Sequence, residues 1–316
     1  MKPLPPLDVR PEVAAALREG RPVVALTSAP MAHSLPWPIN LEAAREAEAV
    51  VRREGVVPAT IAVLEGRPTV GLGAEELEGL ASGDSAFRAS RRDLPAAIID
   101  GHTAATTLSA NLILAHQAGI RLLVTGGVGS LGHAVSENAL DVPDELVQLS
   151  RIPVAVVSAG AKGVLALHRT VEILESFGVP VVGYGTDSLP ALYVRNTSHR
   201  VSARVDTPAE AAEFAAAHWA LQGAGVLLAQ PAPSEVALDP AFYGQQLLEI
   251  ERQAARIHSR DLTPFLTSRL ARLTRGKTLA AYKAILTVNA TLAARVASQL
   301  TEGGPPVGAL EPSAPR

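Results

Sequence analysis

Short runs rich in Val, Ile and Leu alternate along this chain with longer segments that show helical periodicity. This alternation is typical of an α/β fold, because buried parallel strands read as apolar runs and helices cover both faces of the sheet. We therefore predict a three-layer α/β/α architecture with a mostly parallel central sheet. The strands are expected at 23–27, 60–64, 97–99, 122–125, 154–157, 181–184 and 225–229.

Helices are expected between these strands, and the clearest of them spans 41–54. Asn40 is its predicted N-cap, because a short polar side chain there can accept a hydrogen bond from the first turn. Gly55 follows at the C-cap position, where a glycine readily adopts the left-handed conformation that ends many helices.

Beyond Pro231 the pattern becomes helical only, and these segments need the α/β layers to bury their apolar faces. We therefore expect one domain over 21–302 with a helical C-terminal half. Residues 1–20 are then an N-terminal extension, and the Gly- and Pro-rich residues 303–316 form a disordered tail. The C-terminal helices are expected at 240–258, 263–274 and 278–300.

Composition excludes several classes of function. The chain has 316 residues, 47% of them hydrophobic, which is enough to bury a core without disulfide or metal staples. It has no cysteine, so thiol catalysis, iron–sulfur clusters and zinc–thiolate sites are excluded. A net charge of −3 with only 3% aromatic residues argues against nucleic-acid binding. No apolar stretch has the length of a signal peptide core or membrane span, so we expect a cytoplasmic protein.

Lys162 is the leading candidate for a chemical role. It closes an apolar strand through the small-residue turn Ser158-Ala159-Gly160-Ala161. A primary amine attacks a sugar aldehyde only in its uncharged form, which desolvation among apolar and small neighbours favours. Lys162 is therefore a candidate imine-forming nucleophile, and the alternative is a solvated lysine that merely marks a strand exit.

A glycine-rich segment directly follows the expected strand at 122–125. From Gly127 it reads G-x-G-x-x-G, which taken alone suggests a dinucleotide-dependent dehydrogenase. The long helix that should follow is interrupted near Asp141 and Pro143, and no second strand ends in an acid at the right distance. A turn that lets a backbone amide approach a phosphate or hydroxyl fits the segment better.

Two further clusters could bind ligands. His133, Glu137 and Asp141 recur at steps of four, which on a helical turn would place hard ligands for Mn²⁺ or Mg²⁺ on one face. A solvated polar loop is the alternative.

The run that begins at Ser90, together with Thr106, Thr107 and Leu108, offers guanidinium and hydroxyl groups that could bind a phosphate. An ordinary surface cluster of charges is the alternative.

Ordered motifs over about residues 23–300 resemble those of the pseudouridine-5′-phosphate glycosidase family, which includes enzymes that make natural-product C-glycosides. The motifs are Ala32-His33-Ser34-Leu35-Pro36, Val57-Pro58-Ala59-Thr60-Ile61-Ala62, Ser90-Arg91-Arg92-Asp93-Leu94-Pro95, Thr125-Gly126-Gly127-Val128-Gly129, Ser158-Ala159-Gly160-Ala161-Lys162, Gly178-Val179-Pro180-Val181-Val182-Gly183-Tyr184 and Thr263-Pro264-Phe265-Leu266.

The resemblance implies an imine between Lys162 and C1 of ring-opened D-ribose 5-phosphate, with Asp141 as ligand of the metal, Mn²⁺ or Mg²⁺. It also implies an α/β/α core and a homotrimer, with an aglycone as the second substrate. From the motifs and the resemblance together, the expected substrate-binding residues are Arg88, Ser90, Thr106, Thr107, Leu108, His133, Pro143, Asp144, Glu145 and Asn289.

The chain departs from the family pattern at several of these positions. Where the family has a glutamate that donates and accepts protons after its first strand, this chain has Thr27, which cannot titrate near neutral pH. Arg88 replaces a lysine, and arginine is effectively never neutral. The family's substrate-binding motif Ser-Ala-Asp is replaced here by Pro143-Asp144-Glu145. The family has a pair of asparagines near the C-terminus, of which this chain keeps only Asn289.

These departures favour a C-glycosynthase that joins D-ribose 5-phosphate to a non-uracil aglycone. Uracil is a poor carbon acid that needs a carboxylate, whereas an electron-rich ring is already nucleophilic at carbon. The first alternative is a working pseudouridine-5′-phosphate glycosidase in which another group replaces the lost carboxylate. The others are an inactive sugar-phosphate-binding paralogue and the dehydrogenase suggested by the glycine run.

Overall fold

The computed structural model describes residues 5–33, 35–83, 87–129, 142–163, 167–254 and 259–302, in which eleven strands form one sheet. The strands are β1 (Asp8–Val9), β2 (Val23–Thr27), β3 (Val57–Leu64), β4 (Arg67–Val70), β5 (Phe87–Ala89), β6 (Ala104–Thr106), β7 (Leu122–Val124), β8 (Ala155–Ser158), β9 (Val181–Tyr184), β10 (Ala203–Val205) and β11 (Val226–Ala229).

Helices occupy most of the connections between these strands. They are α1 (Pro11–Arg18), α2 (Ala29–His33), α3 (Ile39–Arg53), α4 (Ala74–Ser82), α5 (Leu94–Ile99), α6 (Leu108–Gln117), α7 (Asp144–Leu149), α8 (Leu167–Ser176), α9 (Pro208–Ala220), α10 (Pro240–Ala254), α11 (Ser259–Leu273) and α12 (Lys277–Glu302).

The main sheet runs in the order β1-β4-β3-β2-β7-β8-β11-β9-β10, with β6 also paired to β3 and β5 to β6. Only the pairs of β3 with β4 and with β6 are antiparallel among the described strands. The predicted mostly parallel sheet is therefore confirmed. Its central strands β2, β7 and β8 run in the same direction, so their carboxyl ends meet at one edge.

Successive side chains of the strands point to opposite faces, and each face is covered by helices. Val23 and Ala25 of β2 belong to the apolar cluster that includes residues of α1, α6, α7 and α8. Val24 and Leu26 belong to the cluster that includes residues of α3, α9 and α12. This arrangement is the predicted three-layer α/β/α fold.

A third apolar cluster lies where the chain leaves the strands at their carboxyl ends. It joins Ala159, which directly follows β8, to Tyr243 of α10, Leu266 of α11 and Tyr282 of α12. In the described part of the chain only helices follow β11, as predicted for the C-terminal half. These helices cover the edge of the sheet at which Lys162 emerges.

The strand predicted at 97–99 is wrong, because Ala97–Ile99 forms the end of α5. An apolar run of this length fits a strand or a helix equally well, and burial decides between them. Leu94 and Ala97, three residues apart, are buried, whereas Ile99 is 72% exposed. Pro95 in the first turn and Gly101 in a left-handed conformation after the helix mark its two ends.

The predicted capping role of Asn40 is also wrong. Helix α3 begins at Ile39, one residue before Asn40, and Pro38 is its N-cap. The buried amide of Asn40 instead donates to the carbonyl of Ala81 at 2.7 Å, which ties α3 to α4. Gly55 follows the helix in a left-handed conformation, as predicted.

The segment predicted as an N-terminal extension contributes to the core. Strand β1 pairs with β4, and Val13 and Ala16 of α1 are buried against the sheet. The predicted tail 303–316 lies outside the described residues. None of the described helices is long and apolar enough to cross a membrane.

Candidate active site

The turn after β8 holds the backbone of Lys162 from two sides. Gly160 adopts a left-handed conformation with φ of 74°, and a β-carbon there would lie 2.0 Å from the carbonyl oxygen of Pro190. The amide of Lys162 donates to the carbonyl of Val128 at 2.7 Å. The hydroxyl of Tyr243 donates to the carbonyl of Lys162 at 2.8 Å. The lysine therefore leaves a fixed backbone at the carboxyl edge of the sheet.

The amine of Lys162 pairs with a buried carboxylate. Its Nζ lies 2.7 Å from Oε1 of Glu145, and the two side chains are 23% and 10% exposed. Burial alone would raise the pKa of Glu145, but the charge and hydrogen bond of Lys162, aided by the charge of Arg88, hold that pKa below its ordinary value. The carboxyl of Glu145 is therefore ionised at neutral pH, and the amine beside it is partly open to an incoming ligand.

Asp144 lies beside this ion pair and behaves in the opposite way. Its carboxyl is half-buried at the first residue of α7. Burial raises the pKa of Asp144, the charge of Glu145 adds to this rise, and the hydrogen bond from Ser109 opposes it. Two adjacent carboxyls at the start of α7 therefore have pKa values that are displaced in opposite directions.

The glycine segment after β7 packs directly against the lysine turn. Val128 donates to the carbonyl of Gly160 at 2.9 Å and forms a parallel bridge with Ala161. A β-carbon at Gly127 would lie 3.4 Å from Cγ of Lys162. In the described residues these glycines bring backbone close to the lysine, while the end of the dinucleotide-like motif lies in 130–141, outside the described residues.

Strand β5 and the turn that follows it approach the site from another side. Arg88 is half-buried in β5, and its charge acts on Glu145. The hydroxyl of Ser90 donates to Asp93 at 2.6 Å, so in this structure it caps the turn. Arg91 donates to Gln148 of α7 at 2.5 Å, which joins this turn to the helix that carries Glu145.

Thr106, Thr107 and Leu108 occupy the junction between β6 and α6. Thr106 is fully buried, and its hydroxyl donates to the carbonyl of Ile61 at 2.6 Å, so it holds β6 to β3. Leu108 packs in the core. The hydroxyl of Thr107 lies 3.0 Å from that of Ser109 in the first turn of α6.

Thr27 and Asn289 lie at the same edge of the sheet. Thr27 is the half-buried last residue of β2, and β7 separates it from β8, a distance of roughly 10 Å by strand spacing. Asn289 of α12 is fully buried and donates to the carbonyl of Thr125 at 3.1 Å. No donor in the described residues reaches its amide oxygen, which leaves an acceptor near the end of β7.

The predicted metal site falls outside the described residues, because His133, Glu137 and Asp141 all lie in 130–141. Pro143, the N-cap of α7, is described and half-buried. Within the described ranges no group of three or more His, Asp or Glu side chains could hold a metal ion. The metal role of Asp141 and the binding role of His133 therefore stay predictions.

Sequence reasoning missed three residues that shape the site. Gln148 stands three positions after Glu145 and so shares its helix face, a spacing that could have identified it. Ser109 and Tyr243 reach Asp144 and Lys162 only through the tertiary fold. No local pattern distinguishes them from other buried polar residues.

A lysine held at the carboxyl edge of a mostly parallel α/β sheet, beside a buried carboxylate, is a candidate catalytic centre, because ligands of such sheets bind at that edge. The chain belongs to the family described as indigoidine synthase A like protein, whose model matches residues 12–299. This confirms the kinship inferred from the ordered motifs.

Similar proteins form or cleave glycosidic bonds. The pseudouridine-5′-phosphate glycosidase of Caldanaerobacter subterraneus is 44% identical over 94% of this chain and 97% of its own. That of Petrotoga mobilis is 41% identical over 95% of this chain and 98% of its own. The crystal structure of the prealnumycin C-glycosynthase AlnA in complex with ribulose 5-phosphate matches with a TM-score of 0.86 at 35% identity, covering 95% of this chain and 99% of that one.

Proposed function

We propose that this chain is a pseudouridine-5′-phosphate glycosidase, which reversibly cleaves pseudouridine 5′-phosphate to uracil and ribose 5-phosphate with Lys162 as covalent nucleophile. The observation that carries the proposal is the partly exposed amine of Lys162, 2.7 Å from a buried carboxylate on a fixed turn. Relatives that carry this name and match nearly the whole chain at 41–44% identity support it.

The chemistry starts with the transfer of a proton from Lys162 to Glu145, which frees the amine. In the synthetic direction Nζ attacks C1 of ring-opened ribose 5-phosphate, and the resulting carbinolamine loses its hydroxyl as water. Glu145 donates the proton for this loss and returns to a carboxylate opposite the positively charged imine. These steps need a carboxylate close to Nζ, which is the position of Glu145.

Carbon–carbon bond formation follows at the electrophilic C1. C5 of uracil bonds to C1 and gives up its proton, and the 4-hydroxyl of the sugar then displaces Nζ, closing the ring. The amine recovers two protons, one from the carbon and one from the hydroxyl, so that the net products are pseudouridine 5′-phosphate and water. Cleavage runs through the same steps in reverse and consumes water.

The sequence-based preference for a C-glycosynthase with a non-uracil aglycone is not confirmed, since the names of the sequence relatives favour the glycosidase. It remains a second candidate because Thr27 offers no titratable group at the end of β2. The match to a C-glycosynthase over 95% of this chain also supports it. The ribulose 5-phosphate in that complex is a ketopentose that its phosphate keeps from closing a ring, as an open-chain sugar site requires.

Incubation with pseudouridine 5′-phosphate separates the two candidates. We expect release of uracil, observed by chromatography, and formation of pseudouridine 5′-phosphate from uracil and ribose 5-phosphate. The Lys162→Met variant is the control and should do neither. A wild-type enzyme that consumes ribose 5-phosphate only with an electron-rich aromatic aglycone would support the second candidate instead.

Three further properties belong to the same proposal. The enzyme uses Mn²⁺ or Mg²⁺ held through Asp141, forms a homotrimer and works in the cytoplasm. Assays with and without a chelator test the metal requirement. Light scattering tests the assembly, with an expected mass of three times 32.8 kDa.

A further inference from the structure

A cavity of about 470 Å³ opens at the amino-terminal edge of the sheet, opposite the candidate active site. Val23 and Leu122, the first residues of β2 and β7, line it from the sheet. Ala212 and Ala216 of α9 and Leu300 of α12 line it from the helices. Small-molecule sites are mainly apolar and have volumes of about 300–1,000 Å³, so the cavity has the size and lining of such a site.

Arg121, which directly precedes β7, contributes a cation to the lining of this cavity. Its guanidinium carbon lies over the ring of Trp219, 4.8 Å from the ring centroid, and its Nη1 donates to the carbonyl of Pro153 at 2.9 Å. The indole of Trp219 also lines the cavity, and its Nε1 donates to the carbonyl of Ala224 at 2.9 Å. The guanidinium is therefore held at a defined place beside the apolar side chains.

This cation has no carboxylate partner among the residues that the structure describes. Burial lowers the pKa of Arg121, and no acidic neighbour opposes the effect, but an arginine still keeps its proton at physiological pH. Two other charged side chains line the cavity. Arg21 already pairs with Glu19 at 2.7 Å, and Glu213 is exposed on α9. Arg121 is therefore a half-buried cation that a negatively charged ligand could neutralise.

We propose that this cavity binds an apolar monocarboxylate, such as a medium-chain fatty acid, with the carboxylate on Arg121 and the hydrocarbon chain against the aliphatic lining. A guanidinium and a carboxylate match in charge and in hydrogen-bond geometry. A neutral apolar ligand would leave the cation uncompensated, and a cationic ligand would be repelled by it. The inference goes beyond the proposed function, because no step of that reaction uses the amino-terminal edge of the sheet.

Octanoate and octan-1-ol form a matched pair of probes, because they share the hydrocarbon chain and only octanoate is charged at neutral pH. The chain contains two tryptophans, Trp37 and Trp219, so in Trp37→Phe the tryptophan fluorescence reports on the cavity alone. We expect octanoate to change this fluorescence saturably and to bind at one site per chain in calorimetry. It should bind at least about tenfold more tightly than octan-1-ol, because only octanoate pairs with Arg121.

Two variants separate the effect of the charge from that of the volume. Arg121→Gln removes the cation and should weaken octanoate at least about tenfold, while octan-1-ol should bind within about twofold of wild type. Ala216→Trp fills part of the cavity and should abolish the binding of both probes. Arg67→Gln is the matched control, since Arg67 is a 61% exposed arginine on β4, and it should bind both probes as wild type does.

The inference is overturned if the wild-type chain shows no saturable binding of octanoate, or binds octanoate and octan-1-ol equally well. A second copy of the chain that covers the cavity would give the first of these results. Equal weakening of both probes in Arg121→Gln would show that Arg121 only supports the fold, and octanoate binding that survives in Ala216→Trp would place the ligand elsewhere. Either result would also overturn the inference. These assays involve no glycosidic bond chemistry, so their outcome is independent of the proposed function.

Discussion

Replacing Glu145 by glutamine should measurably destabilise the protein, because it leaves the Lys162 ammonium facing an amide. Exposed ion pairs contribute about 0–1 kcal/mol, whereas removing one partner of a fully buried pair costs about 3–5 kcal/mol. With side chains 10% and 23% exposed, the pair of Glu145 and Lys162 lies between these limits. We expect Glu145→Gln to lower the free energy of unfolding by about 2 kcal/mol at neutral pH.

A matched control exists on the surface. Arg45 and Glu78 form an ion pair with the same 2.7 Å separation, but their side chains are 52% and 50% exposed. Glu78→Gln should therefore lower the free energy of unfolding by no more than about 0.5 kcal/mol, because solvent screens this pair. The two pairs share the bond length and the substitution and differ in burial and in the cation, which is lysine in the buried pair and arginine in the exposed one.

The pH dependence supplies a second test. The folded-state pKa of Glu145 lies below its unfolded value near 4.5, so its stabilisation is fully present above that value and is lost as the pH falls through the folded-state pKa. Urea unfolding followed by circular dichroism at pH 7.5 and across pH 5 to 3 measures it. The difference in free energy of unfolding between wild type and Glu145→Gln should become smaller as the pH falls. The reasoning would be refuted if Glu145→Gln and Glu78→Gln lost the same free energy of unfolding. It would also be refuted if the difference between wild type and Glu145→Gln did not change with pH.

Three other variants test separate features of the site. Asp144→Asn should increase stability at pH 7.5, because a carboxyl with a raised pKa costs stability when ionised; thermal unfolding at pH 7.5 and 4 should show the gain only at the higher pH. Gly160→Ala should lower the free energy of unfolding by more than about 2 kcal/mol and abolish trapping of sugar on Lys162, because the new β-carbon collides with the carbonyl of Pro190. A near-native free energy of unfolding in urea would contradict this. Tyr243→Phe should lower the free energy of unfolding by about 1 kcal/mol, because the hydrogen bond to the Lys162 carbonyl is lost. A decrease below about 0.3 kcal/mol in urea unfolding would show that this bond does not hold the turn.

The central sheet could be predicted because its strands are continuous apolar runs buried on both faces. Strand β2 was predicted at its observed bounds, 23–27, and β9 at 181–184. The short strands β1, β4, β5, β6 and β10, of two to four residues each, were missed, since so few residues carry no periodicity of their own. The 97–99 error arose from the same ambiguity, because only tertiary burial shows that Ile99 faces solvent.

Several residues of the candidate site could be named from the sequence, but their arrangement could not. Lys162 and Glu145 were both identified, yet nothing in the sequence indicates that the amine and the carboxylate, which lie 17 positions apart, are separated by only 2.7 Å. The pairing depends on how α7, which packs against α6, is placed beside the turn after β8, and that placement is a property of the whole fold. Likewise, Thr106 carries a hydroxyl suited to a phosphate, but the structure commits it to the carbonyl of Ile61.

The central claim is that Lys162 forms an imine with ribose 5-phosphate. Its most direct test is borohydride reduction of the protein with ribose 5-phosphate, followed by mass spectrometry of the intact chain and its peptides. We predict the addition of one reduced pentose phosphate per chain, located on Lys162, and no addition in Lys162→Met. An unmodified wild-type chain, or an equal addition in Lys162→Met, would contradict the account.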